Sequence, residues 1–250
     1  MIAPARRAAF DALEQVDTGQ RTLPDALARV RRRVADARDV SLATDITIGT
    51  VRWRGTIDFL LAALSSRPLE SLDAAVLRGL RLSTYQLVYL DRVPASAVVN
   101  DGVALVKGMA GPGAGGFVNA LLRRLADPAR RPALPSRPTG DGRLADWVAH
   151  LSATWSHPDW LVHRWLRAIG PEATEARLRY DQQHAPMTLR AGARAGGSGP
   201  LRSRLAASGV ETVPTRFAPA GLQVVSGHAL QAAEASEGTF LVQDEGSQLV

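Results

Sequence analysis

Apolar residues recur every three or four positions through residues 1–127, the spacing that places them on one face of an α-helix. Ala9 and Leu13 form one such stripe, which Gly19 would end. Thr22 opens the next stretch, ahead of a proline and an aspartate that suit a capped helix start. Because no alternating strand pattern interrupts the series, it predicts an all-α bundle of about five to seven helices.

Residues 128–143 break this pattern with four prolines and two glycines, a composition typical of a linker. A Trp-rich helical stretch follows, and then the order strand, helix, strand, strand. This order predicts that residues 144–237 form a small α+β module of the ferredoxin-like or RRM-like kind. Residues 238–250 have the pattern of one more short strand and the first turn of a helix, capped by Asp244 and Glu245.

Composition narrows the class of protein. The 250 residues are 46% apolar, enough for buried cores in one large domain or two smaller ones. The sequence has no run of about 18 uncharged apolar residues and no apolar secretory signal at its start, so we expect a cytoplasmic protein that does not enter a membrane. It contains no cysteine, which excludes a disulfide, cysteine-bound zinc and a cysteine nucleophile within this sequence.

The net charge of +6 is unevenly distributed. Residues 1–140 carry 20 basic and 13 acidic side chains, whereas the remaining residues carry 10 and 11. Such a local excess favours a nucleic-acid partner, because guanidinium groups bind phosphates. Lys107 is the one lysine, but a GC-rich genome alone can produce this preference for arginine. The position of the charge is therefore informative, and the choice of arginine is not.

Two groups of arginines are candidates for RNA contact. Helical spacing places Arg29, Arg32 and Arg33 on one face, able to meet successive phosphates; the alternative is a solvated surface opposite a buried stripe. The second group ends the last predicted helix of the bundle, where cations also complement the helix dipole without a ligand. The candidate RNA-binding residues are Arg29, Arg31, Arg32, Arg33, Arg38, Arg123 and Arg124.

Other motifs predict no catalytic, cofactor-binding or metal-binding residue. Glycines in residues 111–116 have the G-x-G-x-x-G spacing, but a predicted helix precedes them, which favours a helix–helix loop over a dinucleotide site. His157, Asp159 and His163 do not have the spacing of a standard metal site, and Pro158 leaves His157 outside the helix that carries His163. Packing is the favoured role, and base stacking the alternative, for four tryptophans at near-helical spacing: Trp147, Trp155, Trp160 and Trp165.

Four segments occur in a characteristic order: LRLSTYQLVYLDRV with GFVNALLRR in residues 80–125, then HPDWLVHRW, PMTLRAG and FLVQDEGSQLV. The first resembles the NusB-like domain of the RsmB (Fmu/Sun-type) family of 16S rRNA cytosine-C5 methyltransferases. The next two resemble the segments that follow it in that family, and the last resembles the entry to its Rossmann-like methyltransferase core. The resemblance covers nearly all 250 residues.

This resemblance implies the RNA-binding portion of an S-adenosylmethionine-dependent enzyme that acts on 16S ribosomal RNA. In that family a cysteine thiolate attacks C6 of the target cytosine, and the cofactor lies at a strand–glycine loop–helix unit. These catalytic and cofactor residues map onto no position of this chain. We therefore expect a methyltransferase as the parent protein, and a monomeric 250-residue chain that is inactive alone and binds no cofactor.

Two other interpretations remain open. The chain could be a non-enzymatic NusB-like RNA-binding factor of transcription antitermination, which predicts an end near the proline-rich segment. It could also be a protein-docking module whose charge is incidental.

Overall fold

The computed structural model describes residues 2–139, 142–183 and 185–250. The chain divides into two compact units, Met1–Gln182 and Gln183–Val250. The helices of the first unit are α1 (Pro4–Asp17), α2 (Leu23–Arg33), α3 (Ala37–Arg52), α4 (Arg54–Leu64), α5 (Ala74–Tyr89), α6 (Ala95–Ala110), α7 (Ala114–Ala126), α8 (Leu144–Trp155) and α9 (Asp159–Asp181). The all-α bundle predicted for residues 1–127 is confirmed, with α1 to α7 in its described part.

Apolar stripes hold these helices together, as their spacing predicts. Ala9 and Leu13 of α1 are buried beside Ile46 of α3 in one cluster, while α4 to α7 form a neighbouring cluster. Helices also approach closely where a glycine leaves room. A side chain at Gly49 of α3 would overlap the ring of Tyr85 in α5, so the chain requires glycine there.

The proline-rich segment is held by side-chain contacts in its described part, residues 128–139. The Arg131 guanidinium donates to the main-chain carbonyls of Leu125 and Leu87, at 3.0 and 3.1 Å. Arg137 forms an ion pair of 2.9 Å with Glu175 of α9. Two residues of the predicted linker, Gly140 and Asp141, lie outside the described residues.

Helix α8 packs directly on α4. The Thr56 hydroxyl donates to the carbonyl of Ala153 at 2.7 Å, and the Gly55 amide donates to the Ser156 hydroxyl at 2.8 Å. Ser156 ends α8 in the left-handed region, with φ of 55°. Through these contacts the structure groups residues 144–182 with the helices before them, whereas the sequence grouped them with the strands that follow.

The second unit is a four-stranded antiparallel sheet, and helices lie in the connections between some of its strands. Its elements are β1 (Thr188–Ala191), α10 (Ser198–Ala207), β2 (Glu211–Pro214), β3 (Gly221–Ser226), α11 (Ala233–Ser236), β4 (Phe240–Val242) and α12 (Glu245–Gln248). In residues 185–250 the strand order is β2-β3-β1-β4, the order of a ferredoxin-like βαββαβ unit. Leu189, Leu205 and Leu222 lie in its core. The predicted α+β fold is confirmed.

The last strand pairs within this sheet. Phe240 lies opposite Ala191, and Val242 opposite Leu189, so β4 is an edge strand beside β1. The sequence had assigned this strand, within residues 238–250, to the start of a catalytic domain.

Helix α12 is not capped as predicted. Asp244 occupies the N-cap position, but its side chain makes no capping hydrogen bond within the described residues. The Glu245 carboxylate turns instead to the chain before β3, where it accepts the main-chain amides of Phe217 and Ala218. The hydrogen bond from Phe217 is the main cause that lowers the pKa of Glu245. Glu245 thus ties two parts of the chain together.

In the described residues, none of the helices is long and apolar enough to cross a membrane.

Candidate nucleic-acid interface

The first arginine group is presented by α2. Thr22 caps the start of the helix as predicted, its hydroxyl accepting the Asp25 amide at 3.4 Å. Leu27 and Val30 are buried against neighbouring helices. The other side of α2 is therefore left to solvent, and it carries the basic residues of the last turn, Arg31, Arg32 and Arg33.

A groove of about 240 Å³ lies between α1 and α2. Its floor is apolar, with Val30 and several alanines, and its rim carries Arg29 and Arg33 from α2. Arg7 lines the α1 side and forms an ion pair of 3.0 Å with Asp11, a residue that also lines the groove. The groove therefore offers guanidinium groups along an apolar floor.

Arg29 lies within a cluster of like charges. Partial burial lowers the pKa of its guanidinium, and the neighbouring charges of Arg33, Arg21 and Arg32 lower it further. The Nε of Arg29 is also buried and has no hydrogen-bond partner among the described residues, which leaves a donor unsatisfied. An anion placed here would relieve both effects, because it would supply opposite charge and hydrogen-bond acceptors. We call Arg21, Arg29, Arg32 and Arg33 the α2 cluster.

Arg31 and Arg38 are exposed, but neither contributes to the lowered pKa of Arg29. Arg38 lies in the first turn of α3, where its main-chain amide donates to the carboxylate of the N-cap residue Asp36 at 2.8 Å. The sequence predicted both residues as RNA contacts, and that remains a prediction. It missed Arg21, which precedes the helix and was not part of the periodic pattern.

The second arginine group lies in the last turn of α7, which packs on α4, α5 and α6, whereas α2 packs on α1 and α3. Arg123 and Arg124 are exposed, and the Arg123 Nε donates to the Asn119 side chain at 3.2 Å. Nearby Arg131 is tied to main-chain carbonyls and Arg130 to Asp127. The two groups are thus on different helices of the first unit.

Several arginines that contribute to the sequence charge are structural. Arg78 is buried and forms ion pairs with Glu14 and Asp17, at 3.2 and 3.4 Å. Arg6 is buried too, and its guanidinium contacts Asp101 at 2.6 Å. Arg6 lies three and seven residues before Ala9 and Leu13, on the predicted apolar stripe, so helical phase could have identified it as buried.

The remaining motif predictions have mixed outcomes. The glycine-rich loop joins α6 to α7, as predicted, with Gly111 ending α6 at φ of 88°. Trp147 is buried, and Trp155 and Trp165 are partly buried against the α8–α9 core, as predicted. The packing prediction is wrong for Trp160, which is 66% exposed, because its position on α9 points away from α8. Among described residues, no group of three or more His, Asp or Glu side chains forms a potential metal site.

Comparison with known families identifies the helical bundle. The model of the NusB family matches residues 3–127, half of the chain. The chain belongs to the NusB family. Beyond the NusB-family bundle, the model of the Methyltr_RsmF/B-like, ferredoxin-like domain matches residues 157–231. The predicted resemblance is thereby confirmed for both regions.

Relatives of this NusB-family chain carry methyltransferase names. Ribosomal RNA small subunit methyltransferase B of Pseudomonas putida is 32% identical over 245 residues, which cover 98% of this chain and 53% of the relative. A Mycobacterium tuberculosis protein, named in general terms as a putative methyltransferase, is 33% identical over 260 aligned positions. The alignment covers 100% of this chain and 53% of the relative. The chain thus spans about half the length of these curated relatives.

A solved structure shows the same fold. The protein PH0851 superposes with a TM-score of 0.65 at 18% identity, over 98% of this chain and 54% of PH0851.

Proposed function

We propose that this chain is the RNA-binding portion of an S-adenosylmethionine-dependent methyltransferase that modifies a cytosine at C5 in 16S ribosomal RNA. The relatives named for small-subunit rRNA methylation support the substrate class. The proposal includes a cytoplasmic location and a monomeric chain.

The α2 cluster is the observation that carries RNA binding. In residues 2–139, the arginines of the core and of α1 are largely neutralised by carboxylates, for example Arg78 by Glu14 and Asp17. No ion pair is formed by Arg29, Arg32 or Arg33 in that described range. Their positive charge is therefore available to phosphates, whose binding releases counterions from the RNA.

The residues of this chain do not fit a site for S-adenosylmethionine. The glycine-rich loop connects two helices, α6 and α7, and so lacks the preceding strand of a cofactor loop. The chain also contains no cysteine for attack on a cytosine ring. We therefore assign no methyl-transfer step to these residues. We assign that chemistry to the part of the longer relatives that has no counterpart in this chain.

A non-enzymatic antitermination factor is the alternative. A NusB-type bundle alone would satisfy that function, but the ferredoxin-like unit would then have no role. The ferredoxin-like unit matches a domain model named for methyltransferases, and the methyltransferase relative aligns with it as well as with the bundle. Both observations favour the enzyme.

The first prediction concerns Arg32 in the α2 cluster. Arg32→Ala should weaken binding to a 16S rRNA fragment, and it should reduce the slope of log K against log salt by roughly 0.7–0.9, because one phosphate contact is lost. Fluorescence anisotropy across a series of salt concentrations measures both quantities.

Arg143→Ala is the matched control. This variant loses the same charge, but the Arg143 guanidinium is already paired with Asp146 at 3.0 Å. Its salt slope should equal that of the parent chain. An Arg32→Ala slope that also equals the parent's would contradict the assignment of the α2 cluster.

A further inference from the structure

Trp160 is an exposed tryptophan that the fold of the first unit does not explain. Its side chain is 66% exposed, although an indole has more to gain from burial than most side chains. Trp147, Trp155 and Trp165 each lie against an arginine guanidinium and the α8–α9 core. Trp160 takes part in no aromatic or cation–π pair among the described residues.

Three polar residues continue the exposed face of α9 from Trp160. His163, Arg164 and Arg167 are exposed and follow it by three, four and seven positions, which places them on one side of the helix. The opposite side carries the buried Val162 and Leu166, packed with α8. At about 1.5 Å per residue, Arg164 lies roughly 6 Å and Arg167 roughly 10 Å along the axis from Trp160. We call these four exposed residues the α9 stripe.

The α9 stripe is positively charged. Asp159 is the one acidic residue between positions 159 and 169. In the described residues, Arg164 and Arg167 form no ion pair, whereas Arg177 and Arg179 farther along the helix pair with carboxylates. The difference shows that the first half of α9 leaves its cations unneutralised while the second half does not.

A break in the helix separates these halves. Gly170 has φ of 77° and precedes Pro171, so the helical conformation is interrupted at Gly170. The α9 stripe is consequently a surface of about two helical turns that lies wholly before this break.

We infer that the α9 stripe binds single-stranded RNA, with the Trp160 indole stacked on an unpaired base and Arg164 and Arg167 on the adjoining phosphates. Every base offers a face for stacking, and guanidinium groups bind phosphate oxygens. Two unneutralised arginines beside the indole favour a polyanion over an apolar protein partner. The inference rests on the proposed RNA-binding function and adds a surface outside the arginine groups predicted from the sequence.

Trp160→Ala tests this stacking contact in the 250-residue chain. The probes are a 12-nucleotide oligouridine and a 12-base-pair RNA duplex, each end-labelled for anisotropy. Binding of the oligouridine should weaken about tenfold, since stacking on one aromatic contributes on the order of 1–3 kcal/mol and 1.4 kcal/mol is tenfold. Binding of the duplex should change little, because its bases are already stacked. Trp160→Phe should retain most of the oligouridine affinity.

Tyr180→Ala is the matched control, since Tyr180 is an aromatic residue on the other half of α9 and is 64% exposed. It should bind both probes like the parent chain. The combined Arg164→Ala and Arg167→Ala variant should reduce the salt slope for oligouridine by roughly 1.4, about 0.7 for each phosphate.

The outcomes separate this inference from the proposed function. If the parent chain binds RNA but Trp160→Ala binds oligouridine as tightly as Tyr180→Ala does, the α9 inference is overturned and the proposed function stands. An equal loss for oligouridine and duplex also overturns it, because stacking on an unpaired base predicts a difference. If the parent chain binds neither these probes nor the 16S rRNA fragment, the proposed function itself is overturned.

Discussion

An arginine in this chain acquires its role from the partner within reach. Arg78 faces Glu14 and Asp17 and is buried, with its guanidinium 5.0 Å from the centre of the Phe10 ring. Arg32 has no such carboxylate partner among the described residues and is exposed. The sequence shows how many arginines the bundle carries, but it does not predict which of them are buried in ion pairs and which are exposed without one. The partners of Arg78 are more than sixty residues away, beyond the range of helical periodicity.

Asp17 should matter more to stability than Glu14. Asp17 accepts from both Arg78 and Arg54, whereas Glu14 contacts Arg78 alone and is 42% exposed. Asp17→Asn should therefore reduce the free energy of unfolding by about 1–3 kcal/mol, and Glu14→Gln by less than about 1 kcal/mol. Urea unfolding followed by circular dichroism measures the two values. Equal losses would show that the shared carboxylate has no special role.

At the scale of elements, local patterns predicted the helices and strands but not the contacts that join them. The stripe through Ala9 and Leu13 and the cap at Thr22 are properties of neighbouring residues, and both are confirmed. The hydrogen bond from Gly55 to Ser156 joins residues 101 positions apart and has no local signal. The packing of α8 on α4 likewise has no local signal in the sequence.

Ser156 stabilises the start of α4 from the end of α8. Its hydroxyl accepts the amides of Gly55 and Thr56 in the first turn of α4, a turn whose own N-cap residue, Trp53, supplies no side-chain cap. Ser156→Ala should therefore cost about 0.5–2 kcal/mol of unfolding free energy, the range for a lost N-cap.

Ser156→Gly provides the comparison that separates the cap from backbone strain. It removes the same hydroxyl, but glycine adopts φ of 55° without the penalty that alanine keeps. It should therefore be less destabilising than Ser156→Ala. Denaturant midpoints of both variants and the parent chain test this order, and a Ser156→Ala chain as stable as the parent would exclude the capping role.

At the scale of the whole molecule, basic charge and ferredoxin-like topology occur in different units. Residues 1–140 carry the excess of basic side chains, while the sheet is confined to Gln183–Val250. The sequence predicted both features, because charge counts and strand order can be obtained without long-range contacts. It did not predict that β4 pairs with β1, since pairing in a sheet depends on tertiary structure.

This architecture also predicts how the chain responds to S-adenosylmethionine. In Rossmann-like folds the cofactor lies where a glycine loop joins a strand of a parallel sheet to a helix. Here the strands of residues 185–250 pair antiparallel, and the glycine-rich loop joins α6 to α7. Isothermal titration of the 250-residue chain with S-adenosylmethionine should therefore give no saturable heat. The Pseudomonas putida relative, about twice as long, should bind it under the same conditions and serves as the positive control. Saturable binding to the 250-residue chain would show that its own residues hold the cofactor, and the division between RNA binding and methyl transfer would have to be abandoned.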